Sequence, residues 1–144
     1  FAESNMNRTF KRRLPSSLES IQEACAEAAA WLDAEAIPAP AALLARLALD
    51  ELLTNVVKYG YDDDLEHAIA FEFLASPDQF EIRVVDDGRE FNPVDFTATG
   101  LDASLEDRNI GGLGLHLLRS MSDRFTYQRR DGRNHMSLVK ILRS

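Results

Sequence analysis

The stretch Leu47-Ala48-Leu49-Asp50-Glu51-Leu52-Leu53-Thr54-Asn55-Val56-Val57-Lys58-Tyr59-Gly60-Tyr61 decides how this chain is read. Its spacing predicts one helix over 41–59, stopped by Gly60. At about 100° per residue, Glu51, Asn55 and Lys58 fall within a narrow arc. Leu44, Leu47 and Ala48 share or flank that arc, while Leu43, Leu53, Val56 and Val57 cover much of the rest. A helix apolar almost all round belongs in a packed layer. A carboxylate, an amide and an amine on one stripe of such a helix are costly without partners. A cavity holding a polar ligand against the stripe would supply them. An ordinary surface stripe with a Glu51–Lys58 attraction is the alternative.

The surrounding chain reads as one α+β domain of 144 residues, 45% hydrophobic and 28% charged. Arg8 to Leu14 suggests a short basic edge strand. Ser16-x-x-Glu19 reads as a capping box, so a helix starts near Ser17. Leu18, Ile21, Cys25, Ala28, Ala29 and Leu32 then recur at helical spacing. Ile37-Pro38-Ala39-Pro40 ends that helix, and Pro40 suits the first turn of the next. Strands follow at 68–74 and 80–86 around a turn at Ser76-Pro77-Asp78, an antiparallel hairpin. From 87 to 110 no period persists, which points to a lid or binding loop. A helix opens at Gly111-Gly112-Leu113-Gly114, and strands at 124–129 and 135–142 flank an Asp131-Gly132 turn.

Composition excludes some functions. A formal net charge of −8 argues against a general nucleic-acid binder. Cys25 is the only cysteine, so there is no internal disulfide and no cysteine-built metal site. No apolar run approaches the roughly 20 residues that span a bilayer, and no signal-peptide core is present. The expected setting is cytoplasmic, without membrane association. The chain starts at Phe1, as a trimmed chain or a piece of a longer protein would.

Two further features could complete a cavity over the stripe. Asp86-Asp87-Gly88 closes a strand; a carboxylate there can accept from an exocyclic amine, and the glycine lets backbone approach a flat ring. Asp-Gly is also a common turn. Gly111 to Gly114 opens a helix whose free N–H groups and dipole favour phosphate. A flexible hinge would read the same way. The run is neither a Walker loop nor a dinucleotide fingerprint.

In this order and at these separations, the three features resemble the N box and the two glycine boxes of the Bergerat fold. That is the GHKL, or histidine-kinase-like ATPase, superfamily of gyrase, histidine kinases and MutL. The likeness runs from about Arg8 to Lys140 and is closest to the anti-sigma-factor serine/threonine-protein kinases of the sporulation and general-stress type. Glu51 to Tyr61, Val85 to Pro93, Gly111 to Leu115 with Leu118 to Asp123, and Gly132 to Leu138 carry it. The implied fold is a two-layer sandwich: a mixed, mainly antiparallel sheet, helices on one face, and an ATP lid at about 87–110.

The resemblance also implies roles. Asn55 would hold Mg²⁺ bridging the ATP phosphates, and Glu51 would be the base for the attacking hydroxyl. Asp86 would read the adenine amine, with Gly88 beside the ring and Ser137 near the adenine. Gly112, Leu113 and Gly114 would wrap the phosphates, and Lys58 or Arg108 would neutralise their charge. Departures from the family pattern are Glu90 for a second glycine, Tyr59 for His, and Ser137 for Thr. The implied partners are a sigma factor, a STAS-type anti-anti-sigma protein whose serine is phosphorylated, and a second copy of the chain. A non-catalytic ATP-binding switch is the alternative function. A histidine-kinase catalytic domain would need a phosphoacceptor His on an upstream helix, and the helix from Ser17 to Ala36 has none. His67, His116 and His135 are read as structural or surface residues.

Overall fold

A computed structural model describes residues 7–94 and 112–142. The expected lid therefore lies mostly outside the described residues, as does Arg108. The element order is β1 (Arg8–Pro15), α1 (Leu18–Ala34), α2 (Ala39–Ala48), a π-helical turn (Leu49–Leu53) and α3 (Thr54–Tyr59). Then come β2 (Ala68–Ala75), β3 (Gln79–Asp86), α4 (Gly112–Met121), β4 (Arg124–Arg130) and β5 (Arg133–Ile141).

The five strands form one sheet in the order β1-β2-β3-β5-β4. Each pairing among the described residues is antiparallel, against the expectation of a mixed sheet. The α+β layering stands as read. β2 and β3 alternate strictly between buried and less buried residues. Phe71, Phe73, Ile82 and Val84 enter the core, while Glu72, Glu81 and Arg83 take the other face. Asp131 and Gly132, at φ 54° and 74°, make the tight β4–β5 turn. Two positive-φ residues suit the right-handed twist of the flanking strands.

The core is aromatic on the β1–β2–β3 side. Phe73 is fully buried, with ring centroids 5.4 Å from Phe71 and from Phe80, 5.9 Å from Phe10 and 6.0 Å from Trp31. Phe73→Ala should therefore cost about 3–5 kcal/mol, read as a lowered midpoint in urea unfolding.

Two helix readings need correction. The N-cap of α1 is Ser17, whose Oγ accepts from Ser20 N at 3.1 Å. Ser16 instead exchanges bonds with His67: its Oγ accepts from His67 N at 3.0 Å, and its N donates to His67 O at 2.8 Å. The Ser16-x-x-Glu19 box is thus displaced by one residue, because Ser16 is held by the loop before β2.

The long helix is also neither uniform nor buried all round. Its middle widens into the π turn, and Leu43 is 60% exposed. A wide turn carries an extra residue, so the 100° arithmetic fails across it. The arc drawn through Leu44, Leu47 and Glu51 is not a continuous face.

Candidate functional site

The π turn carries Glu51, and α3 carries Asn55 and Lys58 one and two turns later. A cavity of about 280 Å³ opens beside α3. Asn55, Lys58, Gly60, Tyr61, Asp86 and Asn134 are among its walls. Two buried side-chain atoms here have no hydrogen-bond partner among the described residues: Asn55 Nδ2 and Asp86 Oδ2. Buried polar atoms are nearly always paired, so two orphans on one small cavity point to a ligand.

Asp86 ends β3 and is only 2% exposed. Its Oδ1 accepts from Gly88 N at 2.8 Å and from Asn134 Nδ2 at 2.9 Å. Burial pushes its pKa up; those two bonds pull against the shift without cancelling it. Oδ2 is left as a single acceptor in a cavity wall, the chemistry an exocyclic amine would meet.

The two glycines beside Asp86 act on each other. Gly60 is not left-handed, at φ −81°. A Cβ there would stand 2.6 Å from Val56 O, and a Cβ on Gly88 would stand 2.9 Å from Gly60 O. Gly60 O accepts from Arg89 N at 2.8 Å. The loop after β3 is thereby drawn against the end of α3, and the close approach by Gly88 is to protein backbone.

Glu51 stands apart from the cavity lining and lies against α4. A Cβ added to Gly114 would sit 2.2 Å from the Glu51 carboxyl carbon and 2.2 Å from its Oε2. Burial and the nearby Asp50 charge raise the Glu51 pKa, and Lys58 partly opposes them. Gly114→Ala should leave the fold intact, because a flexible carboxylate can swing away. It should still displace Glu51 and cut any reaction needing that base by about 10–10²-fold, read as kcat with unchanged thermal stability. Leu113, on the same turn, is 66% exposed, and Gly112 is the first residue of α4.

Ser137 is the site residue the structure contradicts. Its Oγ donates to Glu81 Oε2 at 2.6 Å on the open face of the sheet, opposite the helices. It lines a separate, shallow depression with Lys11, Glu72 and Arg83. Strand alternation is the reason. Asn134, Met136 and Leu138 of β5 are buried, and residue 137 has the opposite parity.

The residue that sequence reasoning missed is Asn134. It pairs directly with Asp86 in the β3–β5 register and is 3% exposed. The alternating burial expected of β5 was the available signal.

A second missed cluster adjoins the cavity through Tyr61. Tyr61 stacks on His67 with ring centroids 3.9 Å apart and donates to Asp87 Oδ1 at 3.1 Å. His67 Nε2 lies 2.8 Å from Asp63 Oδ1, and its Nδ1 is 3.4 Å from Asp87 Oδ1. The Asp63 hydrogen bond, with help from Asp87, raises the His67 pKa. Burial, then the bond to Asp87, raise that of Tyr61. His67 is thus structural, tying the loop before β2 to the loop after β3.

Residues 14–140 match the family model described as the histidine kinase-like ATPase domain. The chain belongs to that family. It is 32% identical over 93 residues to the serine/threonine-protein kinase BtrW of Bordetella bronchiseptica, covering 65% of this chain and 66% of that protein. It is 33% identical over 87 residues to the serine-protein kinase RsbW of Listeria monocytogenes, covering 54% and 52%. The RsbW of Bacillus subtilis is 28% identical over 94 residues, covering 60% and 57%. The matches thus span roughly half to two thirds of these curated relatives.

Among solved structures, the RsbU and RsbW domains of a Mycobacterium tuberculosis protein align at TM-score 0.63 and 15% identity, over 93% of this chain and 32% of that one. The SiaB–SiaC complex of Pseudomonas aeruginosa aligns at TM-score 0.55 and 17% identity, over 92% and 89%. At those identities the likeness is one of fold. It supports the α+β fold described above.

ATP fits the described residues of this family member. The cavity offers one unpaired carboxylate oxygen at a strand end and one unpaired amide nitrogen on the facing helix. No group of three or more His, Cys, Asp or Glu that could hold a metal ion occurs among the described residues. A Mg²⁺ held by one amide oxygen, waters and nucleotide phosphates requires none. No described helix is long and apolar enough to cross a membrane.

Proposed function

We propose that this chain binds Mg-ATP and phosphorylates a serine on a small STAS-type anti-anti-sigma partner, and that it binds a sigma factor in competition with that partner. The observation that carries the reading is the buried Asp86, with one oxygen unpaired in a cavity shared with Asn55. The names of the curated relatives support the serine kinase activity. Action as a homodimer belongs to the same reading.

In this scheme Asp86 Oδ2 accepts from the adenine amine. Asn55 supplies an oxygen to Mg²⁺, which would neutralise phosphate charge when bound. Lys58, exposed at the end of α3, adds a positive charge near the phosphates, and Arg108 has the same proposed part. The start of α4, through Gly112, Leu113 and Gly114, presents backbone N–H groups to them. Glu51 takes the proton of the partner's serine hydroxyl. The serine oxygen then bonds to the terminal phosphorus, and the bond to the ADP oxygen breaks.

One observation favours a second reading, a non-catalytic switch that binds ATP and sequesters a partner. Glu51 rests on Gly114 and is not among the cavity walls. The two readings separate on incubation with labelled ATP, Mg²⁺ and a STAS-domain protein, beside Glu51→Gln. Label on the partner that vanishes with the variant is the kinase result. Nucleotide binding without transfer is the switch result, and no ATP binding ends both.

A further inference from the structure

Asn134 is a buried polar side chain whose amide is hydrogen-bonded at both its nitrogen and its oxygen. Its Nδ2 donates to Asp86 Oδ1 at 2.9 Å and to Arg89 O at 2.9 Å. Its Oδ1 accepts from Tyr127 Oη at 2.6 Å and from Arg129 Nη1 at 3.0 Å. Arg129 Nη1 also donates to Gly88 O at 2.8 Å. This network admits one orientation of the amide. Turned over, its oxygen would face a carboxylate oxygen and a carbonyl oxygen, and its NH₂ would face a guanidinium that cannot accept.

The consequence falls on Asp86. Gly88 N and Asn134 Nδ2 both donate to Oδ1. Neither group can accept a proton, so Oδ1 is held as an acceptor and all freedom of the carboxyl is confined to Oδ2. That oxygen is buried and unpaired at the cavity. A bare acceptor there matches the 6-amino group of adenine. It repels the 6-oxo group of hypoxanthine or guanine, which would set two acceptors face to face.

We infer that Asn134 is a positioning residue for base specificity: by fixing Asp86, it makes the cavity select 6-amino over 6-oxo purine nucleotides. The inference rests on the reading of the cavity as a nucleotide site. Without the Nδ2 donor, the carboxyl is held by one hydrogen bond, can turn, and takes up a proton more readily. A protonated or turned carboxyl can donate to a 6-oxo group. Tyr127 and Arg129 act one step further out, by holding the amide.

The test is calorimetric titration of the full chain with ATP and with inosine triphosphate, which differ on the edge Asp86 faces. Wild type should prefer ATP by about 10²-fold or more. In Asn134→Leu the preference should shrink to within about threefold, mainly through weaker ATP binding. Tyr127→Phe removes one oxygen and keeps the ring, so it tests the idea if the first variant folds poorly. It should reduce the preference by about three- to tenfold. Equal weakening of both nucleotides in the two variants, with the preference intact, would mean a structural role only and overturns the inference. Wild type binding both nucleotides equally overturns it while leaving the nucleotide site standing. Wild type binding neither removes the nucleotide reading, and this inference with it.

Discussion

Glu51→Gln is expected to lower transfer of phosphate to the partner serine by about 10²–10⁴-fold, the usual contribution of a positioned general base. ATP affinity should stay within about threefold, because Glu51 does not line the cavity and binding does not require its charge. The amide keeps the shape that rests on Gly114, so the fold should be unaffected.

The pH dependence follows from the same residue. Burial, then the Asp50 charge, raise the Glu51 pKa above the ordinary value for a glutamate, and Lys58 opposes them in part. A base works only when ionised. The rate should therefore fall as pH drops through that raised pKa, at a higher pH than the ordinary glutamate value of about 4.3 would predict. Single-turnover transfer measured across pH checks this. The acid limb should be absent from the residual activity of Glu51→Gln. An acid limb retained in the variant would assign it to another group.

Asp86→Asn is the second large effect. The substitution keeps Oδ1 with its two donors and replaces Oδ2 by an NH₂ group. An amine facing an amine loses a charged hydrogen bond and strands a donor, at about 3 kcal/mol, or about 10²-fold in ATP affinity. The same change supplies the donor a 6-oxo base needs, so inosine triphosphate should bind the variant better than ATP does.

Stability should move the other way. Burial raises the Asp86 pKa, so the folded chain holds that proton more tightly than the unfolded chain. Stability then falls as pH rises from the ordinary aspartate value of about 3.9 through the raised one. Asparagine lacks that penalty, so at neutral pH Asp86→Asn should melt no lower than wild type. A protein that loses ATP yet keeps its melting temperature would mark Asp86 as a binding residue rather than a structural one.

Much of this was legible in the sequence for physical reasons that act locally. Alternation in Phe80, Ile82 and Val84 predicts a strand with one buried face, and β3 has it. Pro40 near the start of α2 and Asp131-Gly132 in the last hairpin each act through the backbone angles of their own residues. Asp86 was readable as a candidate because a carboxylate at a strand end beside a glycine is a local feature. Ser137 was misplaced because its parity along β5 was not followed; an error of one residue moves a side chain through the sheet.

What the chain alone determined is the order of elements, the apolar faces that make two layers, and the residue types that a nucleotide site needs. These depend on periods of two and near four, and on single-residue backbone preferences. Only the tertiary structure decided which of those residues meet. Asn134 reaches Asp86 across 48 residues of sequence because β5 inserts between β3 and β4. Glu51, carried on the π turn, lies against Gly114 of α4. Both contacts join segments far apart in the chain, and no local preference encodes which distant partner a buried polar atom will find.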